Sequence, residues 1–214
     1  MSSENEQVPL SLTTDETKST EESISNQIVN NVNDEENRSK AITLKEEGNK
    51  HFKDGNFNDA IESYLRSLEV CPSDDLSTRV ILYSNLAAAK DHLESNEEAI
   101  NYCNEALSIN GNHTKALIRR AQIYRKCDKL DESLADYEKY LTIVPGDTSS
   151  MRAVFELKKE IEIRNEKMKA EMLGKLKDLG NVVLKPFGLS TDNFQLVKNP
   201  ENGSYSVNFQ NNNQ

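Results

Sequence analysis

From Ser39 to about Asp147 the apolar residues recur at three- and four-residue spacings, with frequent Ala and Leu. Short breaks interrupt them at Asp54-Gly55-Asn56, Cys71-Pro72-Ser73, Asn110-Gly111-Asn112 and Val144-Pro145-Gly146. Such spacing predicts amphipathic helices, and the breaks bound them at roughly a dozen residues each. Beyond Pro145-Gly146, Val154, Leu157, Ile161, Met168, Met172, Leu176 and Leu179 line one face of a longer helix over 148–180, with only Gly174 as a weak breaker. At ~1.5 Å per residue it is on the order of 45 Å long. Its reverse face, with Glu156, Lys159, Glu160, Arg164, Lys167 and Glu171, reads as solvated. Residues 1–38 show no such period. They are rich in Ser, Thr, Asn and Glu, lack aromatics, and hold Ile24, Ile28 and Val32 as isolated apolar positions. That composition predicts an acidic disordered leader.

The helices repeat. In a 34-residue unit beginning at Ala41, Gly48 is position 8, Ala60 position 20, Tyr64 position 24 and Pro72 position 32. A unit beginning at Val80 puts Tyr83, Ala87, Ala99 and Ala106 at positions 4, 8, 20 and 27. A third, beginning at Thr114, puts Leu117, Ala121, Tyr124, Tyr137 and Pro145 at 4, 8, 11, 24 and 32. Position 8 needs a small residue because two antiparallel helices approach most closely there, and Pro at 32 ends the second helix. There are departures: extra residues around Asp74–Thr78, Gly111 in place of Pro, and Ser133 in place of Ala. The pattern resembles the tetratricopeptide repeat. The resemblance implies an all-α fold over 39–147: three repeats (six helices) in a right-handed superhelical array with a concave groove. The helix at 148–180 caps the third repeat, and both ends are flexible tails.

In that family the first helix of each repeat lines the groove. The polar residues on those helices are Lys45 and Asn49, four apart and so on one face, then Asn85, then Lys115 and Arg119, again four apart. With the strings LKEEGNKHFKDGNF, LYSNLAAAK and HTKALIRRAQIY, this set resembles the dicarboxylate-clamp subclass of co-chaperone repeats. Such clamps hold the C-terminal Glu-Glu-Val-Asp of the cytosolic 70- and 90-kDa heat-shock chaperones. The resemblance assigns Lys45, Asn49 and Asn85 to the terminal main-chain carboxylate. It assigns Lys115 and Arg119 to the last Asp side chain and nearby carbonyls. The chemistry is independently sound. A C-terminal Asp presents two carboxylates side by side, and charge-assisted bonds contribute roughly 1.5–3 kcal/mol each. An internal Asp offers one carboxylate and loses about half of them.

Composition adds exclusions. Hydrophobic residues are 36%, below the roughly 45–50% of globular chains, as expected for a modest core with solvated ends. The net charge of -10 argues against nucleic-acid binding. It is unevenly spread: nine acids and two bases in 1–38, nineteen and fourteen in 39–147, eight and ten in 148–214. Cys71, Cys103 and Cys127 have no disulfide or metal spacing, and His51, His92 and His113 are scattered. Cys103 at position 24 reads as a buried thiol. No nucleophile–base pairing, phosphate loop or carboxylate pair suggests catalysis, so neither an enzyme nor a cofactor is expected. No signal peptide, presequence or membrane-length apolar run is visible, which predicts a cytoplasmic monomer.

Residues 181–214 are not repeat-like. Lys185-Pro186-Phe187-Gly188 breaks the helix, and Asn193–Val197 and Ser204–Phe209 flank the turn signal Pro200-Glu201-Asn202-Gly203, predicting a hairpin. The ending, with LGN-x-VL-x-PFGLS-x-x-NFQ, together with the repeats and the acidic leader, resembles the tetratricopeptide repeat protein 1 family. The resemblance implies a non-catalytic co-chaperone adaptor. Its groove takes chaperone C-terminal peptides, and the C-terminal segment packs on the long helix or recruits a second protein. The alternative is a scaffold for another partner, such as a signalling GTPase or assembly factor, with the clamp incidental.

Overall fold

Seven helices and one hairpin form along the chain, in the computed structural model, which describes residues 13–198 and 204–210. The helices are α1 (Thr13–Lys53), α2 (Phe57–Val70), α3 (Leu76–His92), α4 (Asn96–Ile109), α5 (Thr114–Lys126), α6 (Leu130–Ile143) and α7 (Thr148–Leu184). The strands are β1 (Phe194–Lys198) and β2 (Tyr205–Phe209). Two compact units result, Met1–Val154 and Phe155–Gln214.

In the first unit, α1 packs with α2, α3 with α4 and α5 with α6, and consecutive pairs are joined through α2 with α3 and α4 with α5. The first helices also touch one another, α1 with α3 and α3 with α5. This is the expected all-α superhelical array of three helix pairs. The same turn joins the helices within each pair. Gly55, Glu94 and Asp128 all adopt left-handed backbone, with φ of 80°, 57° and 58°. After each, the next N–H reaches back to a carbonyl five residues earlier: Asn56 to His51, Ser95 to Lys90 and Lys129 to Tyr124. Glycine meets this geometry without strain only in the first repeat.

The departures from the repeat pattern have local explanations. Part of the insertion before the second repeat is helical: Asp75 accepts from Thr78 N at 3.0 Å and starts α3 a turn early, so that α3 has 17 residues against 13 for α5. Asn110 ends α4 without proline, its side chain accepting from Asn112 N at 3.0 Å. Ser133, fully buried, donates to the Ala121 carbonyl at 2.7 Å, so its hydroxyl is satisfied at the helix contact where alanine was expected.

The first helix extends into the segment read from the sequence as a leader. The first helix starts at Thr13, not near Ser39, and residues 1–12 lie outside the described residues. Neither Gly nor Pro occurs between 13 and 47. Once a helix is nucleated at the packed end, each further residue adds one backbone bond that offsets the entropy of fixing it.

The core follows the repeat register. Ala41, Ala60, Ile61, Tyr64, Leu82, Leu86 and Ala89 form one buried cluster across α1, α2 and α3. Ala99, Ile100 and Ile123 form another, and Val80, Ala106 and Ala116 a third. Leu82, Leu86, Leu117 and Ile123 are fully buried, each contributing roughly 1.5–3 kcal/mol. Arg120 joins α5 to α6 through a bidentate contact with buried Asp136 (2.7 and 2.6 Å) and joins α4 through Asn104 at 2.6 Å.

In the second unit, α7 runs on to Leu184, and Gly188, with φ of 71°, follows a 3-10 turn over Lys185–Phe187. A second short turn, Thr191–Asn193, packs back on the helix. Asn181 Oδ1 accepts from the Thr191 amide at 2.6 Å and hydroxyl at 2.9 Å, and Lys177 pairs with Asp192 at 2.5 Å. The hairpin is antiparallel, with Phe194 opposite Phe209 and Lys198 opposite Tyr205. The expected turn between its strands lies outside the described residues.

A Cβ added at Gly48 would stand 2.5 and 2.6 Å from two carbons of the Tyr64 ring, which is 2% exposed. Gly48→Ala gains about 1 kcal/mol of helix propensity but overpacks a site that cannot yield, at roughly 1–3 kcal/mol. The expected net loss of about 1 kcal/mol is read from the urea midpoint, and an unchanged or higher midpoint would mean that Tyr64 can move aside. Burial also pushes the Cys103 thiol from 9.0 up to about 12 and the Tyr64 phenol from 10.0 up to about 12. Both folded-state values are raised, so their contribution is complete below pH 9.0 and is lost as the pH rises toward about 12. The urea midpoint should therefore fall above pH 9.0, and the fall should be smaller in Cys103→Ala.

Candidate functional site

The five polar residues read from the sequence lie on the first helices of the three pairs: Lys45 and Asn49 on α1, Asn85 on α3, Lys115 and Arg119 on α5. Lys45, Asn49, Asn85 and Arg119 are half-buried and Lys115 is exposed. Apolar neighbours fix their facing. Gly48 and Leu44 are buried beside Lys45 and Asn49, Leu86 and Ser84 flank Asn85, and Ala116 and Leu117 follow Lys115. Each polar side chain is thereby held at the edge of a helix whose other side is in the core.

Asn49 and Asn85 meet across α1 and α3. Asn85 Nδ2 donates to Asn49 Oδ1 at 3.1 Å, and the Tyr64 hydroxyl, rising from α2, donates to the same oxygen at 2.8 Å. With that oxygen engaged twice, Asn49 has only its two amide N–H groups left to offer. Asn85 has one N–H beyond the one it gives to Asn49. The pair offers three neutral N–H donors, two from Asn49 and one from Asn85, beside the Asn85 oxygen.

Arg119 is oriented from the neighbouring helix. Its Nη1 donates to Asp91 Oδ2 at 3.3 Å, while Lys126, two turns along α5, donates to Asp91 Oδ1 at 2.6 Å. The Nε of Arg119 is buried with no hydrogen-bond partner among the described residues. A buried donor left unpaired costs about 1–3 kcal/mol. Lys45 and Lys115 make no ion pair among the described residues. Of the five residues, Asn49 and Asn85 are in contact, while Lys45, Lys115 and Arg119 share only their place on the first helices.

The two adjacent arginines differ. Arg119 faces Asp91, whereas Arg120 is consumed by Asp136 and Asn104. Three contributors were not picked out from the sequence. Tyr64 stands at position 24 of its repeat, and its hydroxyl role depends on a contact fifteen residues away. Asp91 and Lys126 left a faint signal: Lys126 lies seven residues after Arg119 and so on the same helix face.

The other reactive side chains lie apart. Cys103 is fully buried as a protonated thiol, Cys71 is buried with its thiol raised by desolvation, and Cys127 is half-buried. His51 lies 3.9 Å from Glu47, and His92 stacks on Phe57 at 4.5 Å. Among the described residues no cluster of three or more His, Cys, Asp or Glu is placed to hold a metal. Nor is any helix among them long and apolar enough to cross a membrane.

Comparison with known proteins gives the fold its relatives. The tetratricopeptide repeat profile matches residues 81–113 and 114–147. The DnaJ homolog subfamily C member 7 homolog of Dictyostelium discoideum is 35% identical over 141 residues, covering 66% of this chain. The chain spans only 26% of that relative's length. Among solved structures, the first repeat domain of Spaghetti (RPAP3), bound to the HSP90 peptide SRMEEVD, is 30% identical with a TM-score of 0.53, covering 58% of this chain and 98% of that one. The second repeat domain of human RPAP3, in complex with the HSP70 peptide SGPTIEEVD, is 30% identical with a TM-score of 0.51, covering 57% and 98%. With three helix pairs in one register and these relatives aligned along them, the chain belongs to the tetratricopeptide repeat family.

Proposed function

We propose that the chain is a non-catalytic co-chaperone adaptor of the tetratricopeptide repeat protein 1 type, working in the cytoplasm. Its groove captures the C-terminal Glu-Glu-Val-Asp of the 70- and 90-kDa heat-shock chaperones. Lys45, Asn49 and Asn85 take the terminal main-chain carboxylate, and Lys115 and Arg119 take the side-chain carboxylate of the last Asp and the adjacent carbonyls. The C-terminal segment serves a second protein partner.

The observation that carries this reading is the doubly engaged oxygen of Asn49. It turns an ambivalent amide into a donor, and a donor beside cations is what a carboxylate needs. Two neutral amides add hydrogen bonds without adding repulsion among Lys45, Lys115 and Arg119. The half-satisfied guanidinium of Arg119 supplies a second anchor. The repeat domains of RPAP3 that resemble this one were solved with peptides ending in Glu-Glu-Val-Asp, which supports the same ligand class here. Binding of chain ends through their free carboxylate is an established recognition mode.

Calorimetric titration of a Glu-Glu-Val-Asp peptide, as free acid and as C-terminal amide, tests the reading directly. Micromolar binding of the acid, about -8 kcal/mol, is expected, weakening with salt, with the amide markedly weaker. Equal affinities, or no binding of the acid, would sink it. Arg119→Ala is expected to cost about 1.5–3 kcal/mol of binding at unchanged helix content. Tyr64→Phe tests the orientation of Asn49 without touching the ligand. Losing one of two donors on Asn49 is expected to weaken the peptide by about 0.5–1.5 kcal/mol. An Asn49→Ala background should abolish that effect, whereas a purely structural role for Tyr64 would persist there.

A further inference from the structure

The distal half of α7 carries an apolar stripe that its own unit leaves open. Met168, Met172, Leu176 and Leu179 are between 46% and 71% exposed. At about 100° per residue they fall within roughly 40° of one line along the helix. Leu173 widens the stripe on one side. The short turn that packs back on α7 uses Lys177, Gly180 and Asn181. Lys177 and Asn181 lie about 140–180° around the helix from Met172 and Gly180 about 80°, so the turn at Thr191–Asn193 packs behind and beside the stripe and leaves its four residues exposed.

The charges bordering the stripe have one sign. Lys169 and Lys175 stand about 60° to either side of Met172, where the e and g residues of a helix pair sit. The acids of the same segment, Glu166, Glu171 and Asp178, are about 100–120° away and outside the contact zone. Lys169 has only a distant intrahelical partner, Glu166 at 4.0 Å and well exposed. A second copy fits badly. Antiparallel self-pairing about Met172 puts Lys169 on the same flank as Lys169 of the second copy and Lys175 with Lys175, and parallel pairing puts Lys169 with Lys175, so either way lysine faces lysine. The stripe has no aromatic residue, and Asn165 lies in line with it, so it lacks the features of a bilayer-inserting face.

We infer that Lys169–Leu179 of α7 is a docking surface for a partner helix that is amphipathic and acidic, with an apolar seam flanked by Asp or Glu. Methionines at two of the four seam positions give it the adaptability to accept seams of differing shape. The surface is separate from the clamp residues and does not depend on the reading of the groove.

The test uses the full chain and a three-heptad peptide with Leu at a and d and Glu at e and g, beside its twin with Lys at e and g. By fluorescence anisotropy the Glu peptide is expected to bind one to one, and the Lys peptide about tenfold more weakly. Met172→Glu should abolish binding with helix content retained. The double change Lys169→Glu and Lys175→Glu should invert the preference between the peptides. The inference is overturned if neither peptide binds, if both bind equally, or if the double change leaves the preference unaltered. It is also overturned if phosphatidylserine vesicles bind the chain while the Glu peptide does not. A concentration-dependent dimer of the chain that Met172→Glu disperses would overturn it too.

Discussion

Close contact between the two helices of each pair governs what the rest of the first unit can do. In the first pair there is no room for even a methyl group between Gly48 and the ring of Tyr64. In the third, Ala121 and Ser133 come close enough for a side-chain hydroxyl to bond to a helical carbonyl. Contacts this tight fix the rotation of each first helix about its own axis. That rotation decides which residues enter the core and which stand at its edge. Because α1, α3 and α5 touch one another, residues at their edges become neighbours although 36 residues separate Asn49 from Asn85. The same ring that excludes a side chain at Gly48 carries the hydroxyl that orients Asn49. Packing and recognition therefore share one residue.

Charge is partitioned as sharply as shape. Nine acids against two bases in residues 1–38 account for most of the net -10, while the proposed clamp gathers Lys45, Lys115 and Arg119. Within the repeats, acids control cations individually. Asp136 withdraws Arg120 into a bidentate contact between helices, and Asp91 holds Arg119 by a single nitrogen. Two arginines adjacent in sequence thus have different fates, one as a brace and the other with donor capacity to spare. On α7 the same logic recurs at a surface, where lysines border an apolar stripe and the acids point away.

Much of this architecture was legible from spacing alone. Four of the six boundaries between α1 and α7 followed Gly, Pro and Asn breaks, whereas the turns at Glu94 and Asp128 carried none, and the register of small and aromatic positions located the three pairs and the five polar residues. The hairpin was visible from its turn signal and alternating apolar residues. The extent of α1, which starts at Thr13 in a segment rich in Ser, Thr, Asn and Glu, was not. The insertion before α3 was also half-hidden: reading it as loop missed the cap by Asp75 that makes its second half helical.

The sequence by itself determined which elements form, how often they repeat and which side chains share a helix face, because these are properties of local periodicity. It carried the types of residue a carboxylate would need and their spacing of four. Only the tertiary structure decided how those side chains are held. The engagement of the Asn49 oxygen by Tyr64 and Asn85, the sharing of Asp91 by Arg119 and Lys126, and the packing of Thr191 on α7 all depend on contacts across helices or between distant segments. Such contacts are set by how helices rotate and approach when they pack, and no window of consecutive residues records that.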